Sequence, residues 1–167
     1  MGLDINHIDS MLFSSYIGGC IMSIPSLDVH KVVKCAEHKK ALDAISLKLK
    51  NNIIDSSSEY DFLGDTIIFN KDKKNRLTLK LSTYELELIF KETLLVIDEA
   101  PVLKFAAIDP TDENNNELID LFLSKGGFIY IREYKSEPHY EYGDTSLFLH
   151  ILDATLKELK SANKISY

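Results

Sequence analysis

The 167 residues, 45% of them hydrophobic, suffice for one domain with a self-supporting core, since a chain of this length buries roughly 70% of the surface its unfolded form exposes. Nineteen basic against 26 acidic residues leave a formal charge of −7, a field that disfavours nonspecific binding to nucleic acid and draws basic partners instead. Two cysteines argue against a disulfide framework and fit a reducing cytoplasm, the opening MGLDINHID lacks the features of a signal peptide, and no apolar run approaches the ~20 residues of a membrane helix.

In chain order, Ile8, Met11, Leu12, Tyr16, Cys20 and Ile21 recur at three- and four-residue steps and predict an amphipathic helix. Asp4, Asn6 and Asp9 are N-cap candidates, Gly18 and Gly19 weaken the helix, and Pro25 ends it. Ser26 or Asp28 opens a second helix reaching about Lys50. Its inner side is read as Val29, Val33, Ala36, Ala41, Ala44, Ile45 and Leu49, its outer side as His38, Lys39, Lys40 and Lys48. The two helices are expected to form a hairpin, with Cys20 and Cys35 as small hydrophobes on apolar faces.

Asn51–Asp65, with its DSSSE core, reads as loop. Thr66–Asn70 is a short strand followed by the turn KDKKN. Leu77, Leu79 and Leu81 alternate with Thr78 and Lys80, and alternation resumes in the other phase at Tyr84, Leu86, Leu88 and Phe90. A turn at Ser82–Thr83 accounts for the shift, because a one-residue slip flips every side chain. A helix capped by Ser82, with Glu85 three residues on, is the competing pattern. Thr93–Ile97 and Val102–Ile108 continue as strands, Pro101 standing where it breaks no ladder bond. Asp109–Asn116 is an acidic loop. Glu117–Lys125 reads as a short helix with Leu118, Leu121 and Phe122 inward and Gly126 just past its end. Gly127–Tyr134 is a further strand. The loop KSEPHYEYGD leads to a helix capped by Asp144, whose core face is Leu147, Phe148, Ile151, Leu152, Leu156 and Leu159. The expectation is α+β, a single domain over residues 1–167. Its sheet is mainly antiparallel, of five to six strands, with an N-terminal helical pair and a C-terminal helix packed on it.

The chemistry in the chain is sparse. Glu133-Tyr134-Lys135 after FIYI matches the E-x-K half of a PD-(D/E)xK nuclease site, with Asp109 or Asp98 to supply the missing acid for a divalent metal. A predicted helix separates Asp109 from Glu133, however, and an acidic chain binds phosphate poorly. His30, Cys35 and His38 fall short of a four-coordinate zinc set. His7, His139 and His150 have no partner that spacing specifies, and no phosphate-binding glycine motif occurs. No metal or cofactor is expected. What remains is recognition surface. Glu137, Glu141 and Asp144 accompany Tyr134, Tyr140 and Tyr142, and Asp109, Asp112 and Glu113 stand on the other acidic loop. Carboxylates steer a basic partner, and tyrosines give rigid contact area. A sheet edge is a second way to bind another chain.

The segments MGLDINHIDSMLFSSYIGGCIMSI, RLTLKLSTYELELIF and GGFIYIREYKSEPHYEYGD together resemble the immunity proteins of bacterial contact-dependent growth inhibition systems, within them the group paired with metal-dependent DNase toxin domains. The resemblance implies a non-enzymatic cytoplasmic inhibitor that binds its toxin and accepts a β-hairpin from it as extra strands. It carries no diagnostic motif and assigns no role to a numbered residue. The alternatives are the metal-dependent nuclease and a non-catalytic adaptor with another partner.

Overall fold

The computed structural model describes residues 26–167. The predicted first helix, from Ile8 to Ile21, and the hairpin expected of it lie outside those residues. Within them the chain is α+β. Helix α1 (Ser26–Ser58) is followed by strands β1 (Ile67–Lys71), β2 (Leu77–Leu81), β3 (Leu86–Ile97), β4 (Ala100–Ile108), β5 (Glu117–Ser124), β6 (Phe128–Ile131) and β7 (His139–Glu141), and helix α2 (Leu147–Ser161) closes the order. All seven strands pair antiparallel in chain order, an uninterrupted meander with one or two strands more than the pattern predicts.

Helix α1 corrects two expectations. It runs on through the DSSSE segment to Ser58, and its buried stripe is Leu42, Ser46, Leu49, Lys50 and Ile53. Those positions follow the i, i+4, i+7, i+8, i+11 spacing of one helical face. Only Leu49 and the half-buried Ile45 belong to the predicted inner side. Ala41 and Ala44 are exposed, and so are Val29 and Val33 at 58% and 49%. The physical reason is reach: apolar periodicity shows that a face exists, not how far the sheet extends to cover it. The serines stay helical because packing overrides local preference. The hydroxyls of Ser57 and Ser58 donate to the carbonyls of Ile54 and Asp55, three residues back, at 2.9 and 2.7 Å.

Strands β2 and β3 meet at a short 3-10 turn, Ser82–Tyr84, and Glu85 takes a left-handed φ of 52°. Ser82 thus opens a turn and not a long helix, and its Oγ donates to the carbonyl of Asp65 at 2.7 Å. The predicted break between Phe90 and Thr93 is absent, for β3 is one strand of 12 residues. Asp98 and Glu99, at φ 48° and 63°, close the β3–β4 hairpin. Two consecutive positive φ values are what a two-residue hairpin turn of the right twist requires. Pro101 pairs with Val96 next to the closing pair Ile97–Ala100 and precedes the first β4–β5 pair at Val102, so its missing N–H costs no ladder bond.

The segment read as a helix at Glu117–Lys125 is strand β5. Ile119, Leu121 and Leu123 face the core, and Phe122 is buried on the opposite side of the sheet. A run buried on both faces has no clean period, which is why two readings fit the same residues. Strand β6 is shorter than predicted and β7 lies inside the expected loop. The core fills the space between the two helices and the inner sheet face, around Leu79, Phe90, Phe105, Leu121, Ile129, Phe148 and Ile151. On α2 the predicted face holds: Leu147, Phe148, Ile151, Leu152 and Leu159 are buried and Leu156 is half-buried. Its N-cap is Ser146, not Asp144.

Candidate functional site

In an antiparallel meander, alternate connections fall at opposite ends of the sheet. The β4–β5 loop and the start of the β6–β7 connection share one end. The β3–β4 turn, the β5–β6 turn and the residues after β7 share the other. The two acidic segments expected to act together are therefore divided. Asp109, Asp112 and Glu113 stand at one end, and Glu141, Tyr142 and Asp144 at the other.

Asp109 and Asp112 are occupied within the protein. Asp109 is buried, and its carboxylate accepts from Lys164 Nζ at 2.6 Å and from the Thr111 hydroxyl at 2.7 Å. Burial on its own would raise this carboxyl, but Lys164 and Thr111 donating to it hold it below the usual aspartate range. Asp112 adds a longer contact to Lys164, at 3.7 Å. This end of the sheet thereby fixes the C-terminal segment, whose Ile165 is buried and whose Ser166 carbonyl accepts from the Tyr84 hydroxyl at 2.7 Å. Asp109 offers a partner no surface. Glu113 is exposed.

The β6–β7 connection folds back over the sheet, turned by left-handed residues at Arg132 and Lys135, φ 73° and 65°. Tyr134 lies against Tyr130 and Phe122, with ring centroids at 5.2 and 6.3 Å, and burial pushes its hydroxyl up. Lys135 reaches Asp98 in the β3–β4 turn at 3.0 Å, and that pairing raises the lysine. Tyr140 stacks on His150 of α2 at 4.5 Å, and its hydroxyl too is raised by burial. Tyr142 lies over Gly127, where a Cβ would come within 2.7 Å of its ring and where φ is 84°. Only glycine meets both conditions. Asp144 accepts from the amide and hydroxyl of Ser146, both at 2.8 Å, and is held low by them. The three tyrosines are thus half-buried by contacts within the chain, while Glu137 and Glu141 face solvent. Glu137 lies 3.0 Å from His139 Nδ1.

The nuclease arrangement does not come together. Asp98, one of the two acids considered, does meet Lys135, but Glu133 lines a cleft against α2 instead, and Asp109, the other acid, is engaged by Lys164. Among the described residues no group of three or more His, Cys, Asp or Glu is placed to hold a metal ion. Cys35 and His38 are half-buried on α1. No described helix is long and apolar enough to cross a membrane.

Two features escape the sequence reading. The first is where a sheet edge lies open among the described residues, along the far half of β3. Strand β3 pairs with β2 only over Leu86–Ile89, while its pairing with β4 runs on to Ile97. Counting from the two-residue turn, Glu92, Leu94 and Val96 aim their backbone N–H and C=O groups away from β4, and no described strand receives them. The mismatch in length between β2, five residues, and β3, twelve, is the signal that would have found it. The second is an ion pair between a buried lysine and a half-buried glutamate on the inner face beside that edge. Lys50 Nζ donates to Glu92 and to the Asn75 carbonyl, each at 2.8 Å, and the Ser46 hydroxyl donates to Glu92 at 3.0 Å. No protein-family model, curated protein or solved structure matches this chain.

Proposed function

We propose that this protein is a non-enzymatic immunity protein that binds and neutralises a cognate contact-dependent growth inhibition toxin, a basic nuclease domain. The observation that carries the reading is the unpaired stretch of β3. Glu92, Leu94 and Val96 present a row of alternating donors and acceptors, and an incoming strand needs only such a row to extend the sheet. The −7 charge favours a basic incomer, and Glu137 and Glu141 are exposed carboxylates available for long-range attraction. Sheet edges are usually blunted by charge or covered, and no described strand pairs with the far half of β3 on the side away from β4.

The direct test is co-expression with the product of the gene immediately upstream, where the proposal places the toxin. The expected result is that the chain protects cells and co-purifies with that product, and that the purified protein itself leaves DNA intact with magnesium or zinc. Cleavage that disappears in Glu133→Gln and Lys135→Ala variants would favour the nuclease instead. An upstream product that neither binds nor harms cells removes the immunity reading.

A further inference from the structure

Between the β6–β7 connection and α2 lies an open cleft of about 420 Å³, lined among others by Glu133, Glu137, Pro138, Tyr140, His150 and Asp153. Its walls are of two kinds. The stacked Tyr140–His150 pair, with Ile131, Pro138 and Ala154, gives flat apolar surface. Carboxylates supply the charge: Glu133, Glu137 and Asp153 line the cleft, against the cations Arg132 and Lys157. Both cations are already engaged, Arg132 by Glu158 at 2.6 Å and Lys157 by Asp153 at 2.7 Å. Glu133 has no ion-pair partner among the described residues, and Glu137 has only the His139 ring. The uncompensated charge of the cleft is negative.

We propose that this cleft receives an arginine side chain of the protein partner, a proposal that rests on the reading of the chain as an inhibitor of a basic protein. Three features select that occupant. An aliphatic stem finds Ile131, Pro138 and the ring pair. A planar guanidinium suits a flat aromatic wall better than a compact ammonium does. Its several N–H donors can serve two carboxylates at once, which a single ammonium does less well. The cleft opens on the β6–β7 side of the sheet, well separated in strand order from the free β3 edge. It gives the partner a second point of attachment, and two points fix orientation where one edge strand alone leaves the register free.

The cleft can be tested without the partner. The full chain is titrated with N-acetyl-arginine amide while its amide resonances are followed by heteronuclear NMR, with the lysine and norleucine amides in parallel. Saturable shifts are expected at Ile131, Glu133, His150 and Ala154 with the arginine probe, weaker ones with lysine, and none with norleucine. Glu133→Gln, an exposed position where folding is not at stake, weakens the arginine response about tenfold, the fold-change of losing one charge-assisted hydrogen bond. No saturable shift, an equal response to norleucine or lysine, or indifference to Glu133→Gln overturns the assignment. A working cleft in a protein that ignores the upstream toxin domain would instead overturn the partner reading.

Discussion

At the scale of single residues, the acidic groups of this chain divide into those that hold the fold and those that face outward. Asp109 is the clearest of the first kind. Its carboxyl titrates below the ordinary aspartate range in the folded protein, so its contribution to stability is complete at neutral pH. That contribution is lost as pH falls through the ordinary range to the lowered folded value. Lys164 is shifted the other way, raised chiefly by its bond to Asp109, and its contribution is lost only as pH climbs through the raised value. Asp109→Asn is therefore expected to be less stable than the parent at neutral pH, with the gap closing as the solution is acidified. Urea midpoints measured across a pH series decide it. A gap that stays constant into acid would show that the carboxylate charge is not what holds the C-terminal segment. Nothing in the local sequence Ile108-Asp109-Pro110-Thr111 separates Asp109 from the exposed Glu113, because burial there is set by Lys164, 55 residues further on.

At the scale of elements, what was legible is what repeats over short distances. The alternation of Leu77, Leu79 and Leu81 and the three- and four-residue steps from Leu147 to Leu159 place β2 and α2 correctly, because the leucines of each fall on one dry face. Strand β5 and the far half of α1 fail that condition. Phe122 is buried behind the sheet under Tyr134, and Val29 and Val33 lie where the sheet has ended, so periodicity misreports both. Among candidate site residues, the exposure of Glu137 and Glu141 follows from their loop composition. The contacts of Tyr140 with His150 and of Tyr142 with Gly127 depend on which strand neighbours which, and that is not written locally. The same holds for Lys50, the one charge on the buried stripe of α1, whose partner Glu92 lies on β3. Lys50 is 5% exposed, so depriving it of its partner is costlier than removing it. Glu92→Leu should destabilise by roughly 1–3 kcal/mol, less than a fully buried pair would lose, because Glu92 is 24% exposed and Lys50 keeps the Asn75 carbonyl. Adding Lys50→Met to that variant should recover much of the loss. Denaturant midpoints of the two single variants and the double give the coupling directly. Independent, additive losses would mean that the pair does not bolt α1 to the sheet.

At the scale of the whole molecule, the long β3–β4 hairpin is the part of the sheet that outruns its neighbours, and it stands in a protein of net negative charge. If a basic partner binds there, as proposed above, its binding separates into two measurable quantities. Long-range attraction sets the encounter rate, so association should slow as salt rises, with dissociation changing less. Strand addition sets the lifetime, because its hydrogen bonds exist only in the docked complex. Val96→Pro isolates the second. The Val96 N–H points away from β4, so proline there removes no bond of the existing ladder and leaves the hairpin paired. It does delete a donor that an added strand would use, and its ring obstructs that strand's approach. The expected result in surface plasmon resonance against the proposed partner is a nearly unchanged association rate and a much faster dissociation. Glu141→Lys, an exposed carboxylate outside the cleft, should do the reverse, slowing association with little effect on lifetime. The thermal transition of Val96→Pro should stay close to that of the parent, which separates a blocked edge from a damaged fold. If Val96→Pro folds and still holds the toxin as long as the parent does, the β3 edge is not where the partner adds its strand. The three-residue β7 edge would then be the next position to block.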